Sequence, residues 1–320
     1  MSSTATVSVS ALEQPRVGVV RSLVETTKPG ITRLVTITAA VGFVLAAVGR
    51  SWTLRELIIS AVACLVGTAL SAAGANALNQ WIERARDAAM SRTSRRPLPQ
   101  GRLSPLAVMR TGLVLSALGV AVLAVFSGLV PALLSLACVL VYVLIYTPMK
   151  VRTPMATFVG TIPGSLPPLI GWTAAKAGVG TVGLASVLDP GGLSLFILMT
   201  VWQVPHFLAI AWMYRDDYAK GGFCVMPTVR NGEARTVATV GLWSLLLLPA
   251  TMAPGVLVPS LGMPYLIVSG ISGVAFQWLA YKLITRRTRE SARAVFFGSI
   301  MHLPLLLLSM VAIALVRVAW

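Results

Sequence analysis

Apolar residues run along this chain in long, nearly uninterrupted blocks, and polar residues are confined to the gaps between them. The blocks cover about 31–49, 57–80, 107–126, 130–147, 157–175, 192–213, 236–254, 262–283 and 294–317. Each is close to the roughly 20 apolar residues that an α-helix needs to cross a bilayer. The short apolar–polar alternation of a transmembrane β-strand is missing, as the run "LLLLSMVAIALV" illustrates. The pattern predicts an all-α, polytopic membrane protein with about nine transmembrane helices.

Composition agrees: 56% of the 320 residues are hydrophobic and 11% are charged, against about 25% charged in a soluble domain. The net charge of +16 would suggest nucleic acid in a soluble protein. In a membrane protein the positive-inside rule is tried first. With the N-terminus in the cytoplasm, only Arg50, Arg55, Lys176 and Arg317 of the 26 basic residues fall on the far side. That asymmetry predicts a cytoplasmic N-terminus and needs no nucleic-acid partner. The opening segment has no apolar h-region, carries Glu13 and Glu25, and has few arginines. It fits neither a secretory signal nor a mitochondrial presequence. Residues 1–25 are expected to be a short disordered cytoplasmic tail, and 26–320 a single intramembrane domain. Cys64, Cys138 and Cys224 form no CxxC pair, so neither a disulfide framework nor a zinc site is indicated.

Acidic residues gather on the same side as the basic ones. Glu83, Asp87, Asp216, Asp217, Glu233 and Glu290 all fall in predicted cytoplasmic segments, although the rule for cations does not require it. In "NQWIERARDAAMSRTSRRP", Asn79, Glu83 and Asp87 are spaced i, i+4, i+8. If the second helix continues past its apolar part, the three share one face. Such oxygen donors suit Mg²⁺, which takes one or two carboxylates together with substrate phosphate oxygens. Arg92, Arg95 and Arg96 follow directly, and arginine is suited to bidentate phosphate contacts. Carboxylates and arginines together describe a metal-bridged phosphate site beside an apolar bundle, hence a lipid-tailed phosphate. The spacing alone equally fits a capped helix end followed by a basic loop.

A second constellation, "WQVPHFLAIAWMYRDDYAKGG", ends the sixth span. His206 is an ionisable group inside an apolar segment, where such groups are functional by default. Asp216 and Asp217 lie at its cytoplasmic end, and Asp217 is about three helical turns from His206. A histidine bonded to a nearby backbone group and a solvated helix end are the plainer readings. In "YTPMKVRTP", Lys150 and Arg152 are positioned to meet the same phosphates or to serve as membrane anchors. His302, in "MHLPLLLL", is the only other histidine.

These stretches, with "GSLPPLIGWTAA" and "TKPGITRLVTITAAVGFVLA", resemble the protoheme IX farnesyltransferases (heme O synthases). That group is the heme branch of the intramembrane UbiA-type prenyltransferases. The similarity covers nearly all of 25–310, and the WQ-PHF and HLP elements resemble the heme branch alone. The resemblance implies helices around a central cavity with two acidic motifs at its cytoplasmic rim. It implies transfer of farnesyl from farnesyl diphosphate to the C2 vinyl group of heme b, with addition of water, to give heme O and diphosphate. Asn79, Glu83 and Asp87 match the first diphosphate–Mg²⁺ motif, with Glu83 where bacterial members often carry Asp. Arg92, Arg96, Lys150 and Arg152 match basic positions, and Arg95 adjoins them. Asp216 and Asp217 are adjacent rather than four apart, which leaves open whether the second half holds metal. His206 and His302 match the family's histidines, and each is a candidate axial ligand for the heme iron or a base.

The implied cofactor is Mg²⁺, with heme b as substrate. The implied setting is a bacterial plasma membrane, with the mitochondrial inner membrane as alternative, and a heme A synthase is a possible downstream partner. Two other readings stand beside this one. A quinone-precursor prenyltransferase would keep the first motif but have no use for the histidines. A transporter of anions or lipid phosphates would carry charged groups near the midplane on broken helices, and Pro163, Pro167 and Pro168 leave room for one such break.

Overall fold

A computed structural model describes residues 18–177 and 183–319. Among these residues all regular structure is helical. In chain order the helices are α1 (Val19–Thr26), α2 (Pro29–Ala47), α3 (Leu54–Ala89), α4 (Pro105–Phe126), α5 (Leu129–Met149), α6 (Ala156–Val159) and α7 (Thr161–Ala177). They continue with α8 (Pro190–Met213), α9 (Arg215–Lys220), α10 (Gly232–Leu257), α11 (Gly262–Arg286) and α12 (Arg289–Ala319). Eight of them, α2, α3, α4, α5, α8, α10, α11 and α12, are long and apolar enough to cross a membrane.

Against the nine spans expected, eight helices among the described residues have that length and apolarity, and the fifth block does not form one. The fifth block, 157–175, is divided between α6 and the 17-residue α7. The chain breaks at Gly160, whose Cα side is filled by the ring of Tyr146. Pro167 and Pro168 lie inside α7 without unwinding it. Residues 1–17, most of the expected N-terminal tail, lie outside the described residues. Its final part, from Val19, is helical.

Helix starts follow local chemistry. Thr53 caps α3 by accepting from the Glu56 amide at 3.2 Å, while the Thr53 amide donates to Glu56 Oε2 at 3.0 Å, a reciprocal capping box. Ser104 caps α4 ahead of Pro105, and Asp189 caps α8 ahead of Pro190. Proline at the first helical position loses no hydrogen bond, since that N–H has no partner in the helix.

Packing follows from small residues. Gly67, Ser71 and Gly74 of α3 meet Gly112, Ser116 and Gly119 of α4, and a methyl group added at Gly74 or Gly119 would collide with Ser116 or Ser71. Close backbone approach of this kind is how membrane helices associate when lipid is as apolar as their side chains. Contacts run from α3 to α4, α5 and α2, from α2 to α7, and from α7 to α8. In the second half α8, α10, α11 and α12 pack on one another, and α12 returns to touch α2. The helices thus close into a ring, and large apolar side chains such as Leu113, Leu118, Leu245 and Ile271 face outward.

Candidate active site

At 36 residues, α3 is roughly 54 Å long at 1.5 Å per residue. That exceeds the ~30 Å hydrocarbon core. Its last turns carry Asn79, Glu83 and Asp87, which are only 1%, 6% and 2% exposed. Side chains at a solvated helix end would be exposed, so these three do not form one. The polar ladder is enclosed by protein.

Each rung meets a cation from a different element. Lys28 Nζ, from the turn between α1 and α2, donates to Asn79 Oδ1 at 2.6 Å. Lys150, just past α5, forms an ion pair with Glu83. Arg96 Nη1 donates to Asp87 Oδ2 at 2.6 Å. Asn79 Nδ2 donates in turn to Thr147 Oγ1 at 3.0 Å, and the Thr147 hydroxyl donates to the Tyr142 carbonyl at 2.7 Å. Thr147 directly follows a π-helical stretch of α5, Val141–Tyr146. Wide turns of this type recur at functional sites.

The electrostatics of the cations differ. Burial, and then the nearby Arg96 charge, pull the Lys28 ammonium down from its ordinary value to about 7. Burial would lower Lys150 as well, but the Glu83 carboxylate outweighs it and holds that ammonium above its ordinary value. Lys150 also lies 4.9 Å from the centre of the Tyr146 ring, a cation–π contact.

The second acidic motif reaches the same rim by another route. Asp217 Oδ1 accepts from the backbone N–H and the hydroxyl of Ser91, both at 2.8 Å, and Oδ2 accepts from the Arg92 N–H at 3.4 Å. Burial would raise this carboxyl, but these hydrogen bonds and the Arg92 charge hold it below its ordinary value. Both oxygens of Asp217 are thereby turned to the loop that carries Arg92, Arg95 and Arg96. The Asp216 side chain is 93% exposed, with Arg215 Nε 3.8 Å away. Arg92 lies 5.8 Å from the ring centres of Tyr214 and Tyr218. Arg95 and Arg152 are exposed.

The two histidines occupy separate positions in the second half of the ring. His206, on α8, stacks between Trp202 at 4.8 Å and Phe296 at 5.3 Å, and its Nδ1 is 2.7 Å from Ser299 Oγ. The Ser299 hydroxyl gives its one proton to the Phe296 carbonyl at 2.6 Å. With that proton so placed, Nδ1 donates and Nε2 keeps its lone pair; in the other tautomer the serine hydroxyl donates to Nδ1. His302, on α12, has Nδ1 2.7 Å from Ser272 Oγ of α11. Its Nε2 is buried with no hydrogen-bond partner.

Sequence reasoning missed Lys28, Thr147, Ser91 and Ser299. Lys28 was visible only as one more cation near a membrane span. The other three are small hydroxyl residues whose partners lie far away in sequence.

The match to known proteins settles the family. The model of the UbiA prenyltransferase family matches residues 35–318. The chain belongs to the UbiA prenyltransferase family. It is 40% identical over 292 residues to a protein of Anaeromyxobacter dehalogenans named protoheme IX farnesyltransferase, covering 91% of this chain and 92% of that protein. It is 34% identical over 288 residues to the human mitochondrial protein of that name, covering 90% of this chain and 61% of the human one. Among solved structures, a UbiA homolog from Archaeoglobus fulgidus bound to DMAPP and Mg²⁺ superposes with a TM-score of 0.64 at 16% identity, covering 92% of this chain and 99% of that one. A digeranylgeranylglyceryl phosphate synthase gives 0.73 at 16% identity, covering 92% and 98%. At that identity the structures speak to the UbiA fold. The ring of helices described above is therefore a multi-pass membrane prenyltransferase fold.

Proposed function

We propose that this UbiA-family protein transfers farnesyl from farnesyl diphosphate to the C2 vinyl group of heme b, with addition of water, to release heme O and diphosphate. The observation that carries the prenyl-diphosphate half is the buried ladder of Asn79, Glu83 and Asp87, each rung matched by a cation. The relatives named protoheme IX farnesyltransferase, at 33–40% identity along most of the chain, support heme b as the acceptor.

The donor set fits Mg²⁺: one amide oxygen and two carboxylates, hard and enclosed, facing a rim that carries Arg92 and Arg96. Asn79, Glu83 and Asp87 would hold the ion, and when bound it supplies positive charge against the diphosphate. Asp217 acts as a positioning residue, fixing the loop from which Arg92 and Arg96 reach the substrate. Arg95 and Arg152, exposed outside the ladder, are the outer charges that attract the diphosphate, while the exposed Asp216 carboxylate attracts only a cation.

Lys150 and Arg96 take up the negative charge that grows on the leaving diphosphate as the allylic C–O bond breaks. The apolar helix walls keep water from the allylic cation. The vinyl π electrons of heme b form the new C–C bond, and water adds to the cation left beside the porphyrin, giving its proton to the diphosphate. His206 would hold the heme iron through Nε2, and His302 is the alternative. The setting is a bacterial plasma membrane with the N-terminus in the cytoplasm. A heme A synthase would be the downstream partner that consumes the product.

The test is direct. Purified protein in detergent is incubated with heme b, Mg²⁺ and farnesyl diphosphate, and heme O is sought by mass spectrometry, with Glu83→Gln and His206→Ala in parallel. Heme O from the wild type and none from Glu83→Gln supports the reading. Prenylation of a quinone precursor instead of heme defeats the heme assignment, and no prenyl transfer to any acceptor defeats the enzyme.

A further inference from the structure

Lys28 is more than a membrane anchor, because its backbone is built to present it. It has φ +48°, a left-handed conformation that is uncommon and costly for a residue with a side chain. Pro29 follows it and opens α2. The turn is clamped onto α3 at two successive residues, the ladder's first rung and the one after it. Gln80 Nε2 donates to the carbonyls of Glu25 and Thr26 at 3.3 and 3.0 Å, and one residue earlier Asn79 receives the Lys28 ammonium. The amide of Asn79 is fixed in orientation, since Nδ2 is committed to Thr147 and an ammonium can only donate.

All three oxygen-bearing rungs are thus engaged by protein cations, and an oxygen that holds an ammonium is poorly placed to hold a metal ion as well. Asn79 is the neutral rung. A carboxylate has lone pairs enough for a cation and a metal together, whereas an amide oxygen has two. Competition between protein cation and metal is therefore sharpest at Lys28. A diphosphate changes the balance, because its oxygens offer the ammonium a better, charged acceptor than an amide.

We propose that Lys28 is a diphosphate-binding residue that occupies Asn79 in the free protein and moves to a diphosphate oxygen when metal and substrate bind, so that each ligand strengthens the other's binding. The proposal rests on the prenyltransferase reading above. It assigns Lys28 a role in coupling: metal alone should bind weakly, and the prenyl diphosphate should tighten it, with the reciprocity that linkage demands.

The experiment uses the full chain in detergent, with Mn²⁺ as the paramagnetic probe and farnesyl S-thiolodiphosphate as an unreactive substrate analogue. Bound Mn²⁺ is counted by electron paramagnetic resonance with and without the analogue. In the wild type the analogue should tighten Mn²⁺ about tenfold or more, the scale of one charge-assisted hydrogen bond. Lys28→Met should bind Mn²⁺ alone about tenfold more tightly than the wild type and lose most of the analogue's effect. Lys28→Arg should keep the coupling. Wild-type Mn²⁺ affinity in Lys28→Met, with and without analogue, overturns the proposal. So does a wild type that binds the analogue and Mn²⁺ independently, a result that needs no variant to fold. A wild type that fails to bind the analogue at all defeats the prenyltransferase reading, and with it this one.

Discussion

Asp217 and Ser91 are 126 residues apart, yet one carboxylate oxygen accepts both the backbone N–H and the hydroxyl of that serine at 2.8 Å. The pair joins the second acidic motif to the loop that follows the first. Asp217→Asn keeps the shape and removes the charge. It should free the loop that holds Arg92 and Arg96, raising KM for farnesyl diphosphate several-fold with a smaller change in kcat. Steady-state kinetics at varied diphosphate would read that split.

The same carboxyl sets a pH dependence. Its folded-state pKa is depressed below the ordinary value, so its contribution to stability is present above the unfolded pKa, near 4. It is lost as pH falls through the lower folded value. The gap in thermal stability between wild type and Asp217→Asn should be steady from pH 7 to 5 and should close below about pH 4. A gap that persists in full at pH 3 would mean that the charge is not what holds the loop.

Glu83 and Lys150 should respond unequally to substitution. Glu83→Gln removes a metal ligand but leaves a polar group that can still accept from Lys150, so the fold survives while activity falls by about a hundredfold or more. Lys150→Met strands a buried carboxylate and should cost up to about 3 kcal/mol of stability in addition to activity. Comparing melting temperatures of the two purified variants separates the effects.

Ser299 Oγ lies 2.7 Å from Nδ1 of His206. Ser299→Ala removes the hydrogen-bond partner of Nδ1 and leaves the ring free to turn. Heme b affinity, read from a Soret titration, should fall about tenfold, and Ser299→Thr should restore it. If His206→Ala leaves the titration unchanged while His302→Ala abolishes it, the iron belongs to His302.

The α3–α4 contact leaves no room for side chains at its glycines. Gly119→Leu would push against Ser71 and the Gly67 carbonyl and should prevent extraction of a monodisperse protein, whereas Gly30→Ala, where space is open, should be tolerated. Overpacking of this kind costs about 1–3 kcal/mol even where neighbours can yield.

Much of this was legible in the residues alone. The spacing of Asn79, Glu83 and Asp87 pointed to one helix face, and α3 does continue past its apolar part to carry all three. His206 and His302 stood out as ionisable groups in apolar runs, and both proved to be bonded to serines on neighbouring helices. The fifth span was misjudged in length, because an apolar run does not reveal that Gly160 sits against the ring of Tyr146 and ends a helix there. Lys28 was invisible as a site residue, since its partner lies 51 residues away.

The division has a physical cause. A bilayer imposes its demands locally: each span must be apolar for about 20 residues, and charge must stay at its ends. Span positions, the all-helical class and the gathering of charge at certain helix ends are therefore written in the sequence by itself. Which cation meets which oxygen is decided by how α2, α3 and α5 pack, and no local rule reaches across 51 or 126 residues. Only the tertiary structure shows that Lys28, Lys150 and Arg96 converge on a single buried ladder, and that Asp217 turns toward Ser91.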